Sequence, residues 1–188
     1  MKKIAIVTLL SAFVATPALA DNTGNFYIAG DLGSSSYSNA IGHDGITSFN
    51  NPGMARIAGG YHFNPTWTAE VGYSTFGDSV IDYGATGKDT VKVSSVQVAV
   101  IGSLPLSAQF DLTGKIGVAN NSAKYSTTVV GIGAADESKA DLLIGVGAQY
   151  HVSSQLSLRA QYDNFGKTGK GASPIKASAL SVGVAYNF

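Results

Sequence analysis

The sequence predicts an all-β protein, an eight-stranded antiparallel up-and-down transmembrane β-barrel occupying residues 21–188. Three observations point there. Apolar residues recur with a period of two in eight successive runs. Their apolar faces carry no charged residue, whereas the opposite faces carry Asp31, Arg56, Glu70, Asp111, Lys115, Arg159 and Asp163 among Gly, Ala and Ser. The connections between runs alternate strictly between long and short.

The first twenty residues read as a signal peptide rather than as part of the fold. Lys2 and Lys3 form a positive start, Ile4 to Val14 is a short apolar stretch, and Ala18-Leu19-Ala20 is a small-residue cleavage site. Eleven residues are too few to cross a bilayer as a helix. Asp21 follows the expected cut where a lipoprotein would have Cys. Removal of Lys2 and Lys3 leaves ten basic against twelve acidic residues, and this near-neutral chain lacks the electrostatic footprint of a nucleic-acid binder. There is no cysteine, so no disulfide supports an exported fold.

Taken in order, the apolar faces are Phe26, Ile28, Gly30, Leu32; then Ala55, Ile57, Gly59, Tyr61, Phe63; then Trp67, Ala69, Val71, Tyr73; and Val96, Val98, Val100, Leu104. The second half gives Phe110, Leu112, Gly114, Ile116, Val118; Leu142, Ile144, Val146, Ala148, Tyr150; Leu156, Leu158, Ala160, Tyr162; and Leu180, Val182, Val184, Tyr186, Phe188. A soluble sheet turns such faces inward and leaves the charges to water. Here the charges sit among small residues, which suits a cramped interior, and a transmembrane barrel inverts the rule by pointing apolar side chains at lipid.

Three connections are short, at 64–66, 105–108 and 153–155, and they alternate with long ones at about 34–53, 77–90, 119–139 and 164–177. Short periplasmic turns and long extracellular loops are the outer-membrane arrangement, and it places both termini in the periplasm. Aromatics fall at two heights. Phe26, Tyr61, Phe63, Trp67, Phe110, Tyr150, Tyr186 and Phe188 flank the short turns or termini, and Tyr73, Phe76, Tyr162 and Phe165 lie near the long loops. Both sets are expected at the membrane interfaces.

Glu70 and Arg159 lie four or five residues past short turns on strands that face each other across an eight-stranded barrel. At a tilt of about 40° and 3.3 Å per residue both sit roughly 10–13 Å up, so a Glu70–Arg159 pair is expected to plug the lumen. Asp31 and Lys115, at similar heights, are expected to complete the network.

The blocks Gly60-Tyr61-His62-Phe63-Asn64-Pro65 and Glu70-Val71-Gly72-Tyr73 resemble strands two and three of the OmpA-type barrel. Gln149-Tyr150-His151-Val152 and Leu158-Arg159-Ala160-Gln161-Tyr162 resemble its later strands. The ending Val182-Gly183-Val184-Ala185-Tyr186-Asn187-Phe188 resembles the signal read by the barrel-assembly machinery, which gives Tyr186 and Phe188 a role in assembly. The resemblance implies that the Glu70–Arg159 pair is a gate with a competing lysine on strand four. That position is Ile101 here, so the strand-four partner is expected to be missing, although Lys115 keeps the cation of strand five, and the barrel is expected to stay closed more persistently than its relatives. No peptidoglycan-binding domain is expected after Phe188, which brings the chain nearer to short barrels of the OmpX, Ail and Neisseria surface protein type.

Other chemistry is weakly signalled. His43, His62 and His151 have no metal-ligand spacing, and His62 and His151 are expected as hydrogen-bonded structural residues in the lumen. Gly166 to Gly171 lacks the upstream glycine and the βα unit of a phosphate loop. A lipid-modifying enzyme would find residue types in Ser34–Ser38, His43 and Asp44, but no nucleophile motif fixes them, so no enzyme and no cofactor is expected. An adhesin or ligand-binding role would use the long loops, and Lys167, Lys170 and Lys176 would suit lipopolysaccharide phosphates. Eight strands leave an interior that side chains fill, so at most a narrow gated path is open. The reading is a monomeric structural protein of the outer membrane, embedded in its lipids.

Overall fold

The computed structural model describes residues 24–39, 53–82, 88–127, 135–168 and 175–188. Eight strands run β1 Phe26–Asn39, β2 Gly53–His62, β3 Trp67–Asp82, β4 Lys88–Pro105, β5 Phe110–Thr127, β6 Ala135–His151, β7 Leu156–Thr168 and β8 Ile175–Asn187. Each is antiparallel to its neighbours, and β8 returns to β1, which closes the barrel. The expected signal peptide, His43, Asp44 and Lys170 lie outside the described residues.

The short turns form where a small polar side chain can hold the backbone. The Asn64 side-chain oxygen accepts from the Thr66 and Trp67 amides at 2.9 and 2.8 Å, and the Ser153 hydroxyl accepts from Gln155 and Leu156. Asn and Ser turn the chain this way by mimicking a backbone turn.

Alternation then sorts the side chains. Twenty-eight large apolar side chains among the described residues are exposed, Leu32, Ile57 and Val182 by nearly two thirds or more. Asp31, Arg56, Glu70, Lys115, Arg159 and Asp163 are each at most 5% exposed. A contiguous apolar exterior of this extent is incompatible with water and fits a bilayer. Seven of the eight aromatics expected beside the turns point outward and are exposed, with Tyr61 partly covered between Phe26 and Phe63.

Two expectations need correction. The segments 77–90 and 119–139 are largely strand, because β3 to β6 continue well past the membrane. An 18-residue strand such as β4 or β5 reaches about 45 Å along a tilted axis, against an apolar band of about 25 Å. Phe76 and Phe165 are the second correction. They do not face the interface but are buried inside the barrel, where their rings meet edge-on at 5.3 Å. Outward residues on β3 are odd-numbered and on β7 even-numbered, so parity turns both rings inward. Each lies next to a register shift, after Phe76 in β3 and after Asn164 in β7, where Gly166 adopts a positive φ of 72°.

Since the sheet has no edge and lipid or detergent offers its backbone no competing partner, the closed form is expected to survive cold detergent. Unboiled protein should migrate apart from boiled protein on a denaturing gel. Identical migration in several detergents would be incompatible with the closed barrel.

Candidate functional site in the barrel lumen

Six charged side chains meet at mid-height. Arg159 grips Asp31 with two donors, Nε to Oδ1 at 2.6 Å and Nη2 to Oδ2 at 2.5 Å, and its Nη1 donates to Glu70 Oε2 at 2.8 Å. Lys115 Nζ donates to Glu70 Oε1 at 2.8 Å, and Tyr27 donates its hydroxyl to Oε2 at 2.7 Å. Arg56 joins Asp31 through Nε at 2.8 Å and Asp163 through Nη1 at 2.6 Å, and it donates to the Gln161 side chain as well. Three acids face three bases, so the buried cluster is neutral.

The register explains how such short spans are bridged. Asp31 on β1 and Arg159 on β7 both pair with Gly183 of β8. A Cβ at Gly183 would overlap the Asp31 carboxylate, so glycine there lets the two side chains meet over the intervening strand. Gly145 does the same for Asp163, which it faces on β7, and Ala99 lies opposite Glu70. The strands that give no charge give small residues at that height.

The structure brings together all four lumen residues expected from sequence and adds Arg56, Asp163, Tyr27 and Gln161. Arg56 and Asp163 were legible as charges on inward faces, but their pairing depends on shear, which a single strand's pattern does not reveal. Glu70 does have a second cation. Ile101 leaves strand four without one, and Lys115, the cation that strand five keeps, reaches the same carboxylate beside Arg159.

Below the charges, His62 bonds Thr68 at 2.8 Å and Asn187 at 3.2 Å, and His151 bonds Ser157 and Asp111, both at 3.0 Å. Both histidines thus use both ring nitrogens. Ser157, His151 and Asp111 are hydrolase residue types, yet Ser157 is completely buried and its partner is Nδ1, the nitrogen that binds the acid in a serine-hydrolase relay. Beside them a cavity of about 20 Å³, bounded by Tyr27, His62, Thr68 and Asn187 among others, has room for about one water. On the loop side of the charges, Met54, Phe76, Leu143 and Phe165 pack with Ala119, Ala177 and Ala179 into an apolar layer that crosses the lumen and reaches down to Ala99 at the level of Glu70. Among the described residues no cluster of three or more His, Cys, Asp or Glu is arranged for a metal.

A closed eight-stranded sheet with lipid-facing apolar residues and a charged interior defines an integral outer-membrane β-barrel. The chain matches the family model described as "Outer membrane protein beta-barrel domain" over residues 5–188, and it belongs to that family. It is 28% identical to outer membrane protein A of Klebsiella pneumoniae over 190 residues, which cover 94% of this chain and 54% of the relative. To outer membrane protein P5 of Haemophilus influenzae it is 27% identical over 223 residues, covering 100% and 61%. The chain thus spans between half and two thirds of these relatives. Among solved structures, Neisserial surface protein A has a TM-score of 0.66 at 18% identity, covering 87% of this chain and 97% of that one. Ail of Yersinia pestis, in complex with the heparin analogue sucrose octasulfate, has a TM-score of 0.64 at 20% identity, covering 88% and 99%. These two likenesses concern the fold.

Proposed function

We propose that the protein is a sealed structural barrel that anchors in the outer membrane and acts through its loop-side surface, not by passing solutes. The observation that carries this reading is the filled lumen. A neutral six-charge network closes the middle, an apolar layer closes the loop side, and the histidine pairs line the periplasmic mouth. Buried charges satisfied in this way hold one another in place. In this reading residues 1–20 direct export, the barrel-assembly machinery inserts the chain, and it stands as a monomer with both termini in the periplasm. Lipopolysaccharide and surface ligands meet the loop side, and the protein has no enzymatic step.

The Glu70–Arg159 pair acts as a gate only if Arg159 lets go of Asp31 and Glu70 together. Lys115 then keeps Glu70 paired, which lowers the cost of that state. Planar bilayers test both parts. The wild type should show no steady conductance. Arg159→Ala should raise the frequency of small openings, and adding Phe76→Ser should raise it further by wetting the apolar layer. Frequent large wild-type openings would overturn the sealed barrel, and an unchanged Arg159→Ala would remove the gate.

A further inference from the structure

One part of the lipid-facing wall is hollow. Phe110, Tyr150, Leu158, Val184 and Gly30 pair in succession across β5, β6, β7, β8 and β1, and all five are exposed on the outer face. They stand zero, one, two, three and four residues from the turn-side ends of their strands, so the row climbs away from the periplasmic interface. Four strand spacings of about 4.8 Å at a tilt of about 40° make it roughly 19 Å long with a rise of roughly 12 Å. That rise is half of an apolar band of about 25 Å. The row therefore starts among the turn-side aromatics and ends at mid-membrane, where Asp31, the neighbour of Gly30, meets Arg159 inside.

The next row outward from the turns holds only Ala148 and Ala160 before it reaches Val182 and Leu32. Over these small side chains lies a trench of about 570 Å³, lined by residues of both rows. Sites for small molecules span about 300–1,000 Å³, so the trench has room for one extended ligand. At Gly30 a Cβ would meet no atom within 4 Å, so the protein's own packing does not require glycine there, whereas at Gly183 it does. Glycine inside a strand weakens it and often marks a place that a ligand approaches closely.

We propose that the trench binds one acyl chain of a phospholipid of the periplasmic leaflet, with its ester end beside Phe110 and Tyr150 and its methyl end over Gly30. The trench is continuous with the apolar surface that lipid covers, so hydrocarbon is its occupant. Its rise matches one leaflet, and aromatic rings suit the headgroup level. A second copy of the chain fits less well, because a two-fold contact centred here would set trench against trench and leave a void. Lipid surrounds the barrel in any case, so the preference comes from close packing and not from leaving water. A chain seated there also crosses the seam between β8 and β1, where the barrel closes.

The test is nuclear magnetic resonance of the protein in phospholipid nanodiscs, reading cross-relaxation from lipid acyl protons to side-chain methyls. The methyls of Leu158, Val182 and Val184 should receive it about fivefold more strongly than those of Val71 and Val100, exposed near mid-membrane on the opposite wall. Protons near the ester should favour Leu158, and those near the chain end should favour Val182. Ala148→Leu combined with Ala160→Leu fills the trench and should bring Val182 and Val184 down to the level of the opposite wall, whereas Ala69→Leu on β3 should leave them unchanged. The wild-type comparison decides the matter even if the filled variant fails to fold. Equal transfer to both walls in the wild type would overturn the site. A reversed depth order would overturn the periplasmic leaflet, and cross-relaxation into the trench from a second protein copy would overturn the lipid.

Discussion

Asp31→Ala is expected to lower the unfolding free energy of the barrel by about 3–5 kcal/mol, the cost of breaking a buried ion pair from one side. Asp31 accepts two donors from Arg159 and one from Arg56, and all three side chains are almost fully buried. Its removal leaves three cations with two acids in a closed space. Arg159 keeps only Glu70, which it shares with Lys115 and Tyr27, and Arg56 keeps only Asp163, so the two remaining acids carry all three cations. Asp31 also ties β1 to β7 across β8, so the loss falls where the chain's two end strands close the barrel. The comparison is Asp111→Ala, whose carboxylate meets His151 at the partly exposed mouth and whose loss should cost about 1 kcal/mol or less. Equilibrium urea unfolding from lipid vesicles, read by circular dichroism, separates the two. Asp31→Asn should fall between them, because it keeps acceptor geometry on one side and gives up the charge. Equal losses for Asp31→Ala and Asp111→Ala would mean that water screens the lumen, and the dry-network account would fail.

The architecture was legible because one face of every strand must meet hydrocarbon. Period-two alternation fixed which residues point out, and loop lengths fixed the order and direction of strands. Ends of strands were not legible. Nothing in the alternation of β3 to β6 marks where the membrane stops, because a ladder continues into water wherever neighbours pair. The lumen network was half legible. Inward charges could be read from parity, and Glu70 with Arg159 from their height above the turns. Arg56–Asp163 spans β1 and β8 together and depends on barrel shear, and the meaning of Gly183 and Gly145 emerges only once their neighbours are known. Phe76 and Phe165 lie near the loops yet share the parity of Ser74 and Asp163, which point inward, so parity and not proximity to the loops sets their direction.

Deletion of Phe188 is expected to leave a barrel that refolds in detergent yet fails to reach the surface of cells. Phe188 is outward and 65% exposed, its ring meets Tyr186 edge-on at 5.4 Å, and its amide donates to the Phe26 carbonyl at 3.0 Å. The deletion removes one backbone hydrogen bond, worth about 1 kcal/mol, and a ring that mostly touches lipid. The ladder between β1 and β8 retains its thirteen paired positions from Tyr27–Asn187 to Asn39–Ile175. Asn187 stays fixed inside by His62 and by the Gln155 carbonyl, to which its own amide donates at 2.8 Å. Folding free energy should therefore drop little, and the heat-modifiable gel shift should persist. If the terminal aromatic is read during insertion, as the resemblance of the last strand implies, cells should instead accumulate the deleted chain as protease-sensitive periplasmic protein. Phe188→Tyr should restore surface delivery because it keeps an aromatic end, whereas Phe188→Ser should behave as the deletion does. Normal surface levels of the deletion protein, measured by protease shaving of intact cells, would leave Phe188 as an interface residue and nothing more.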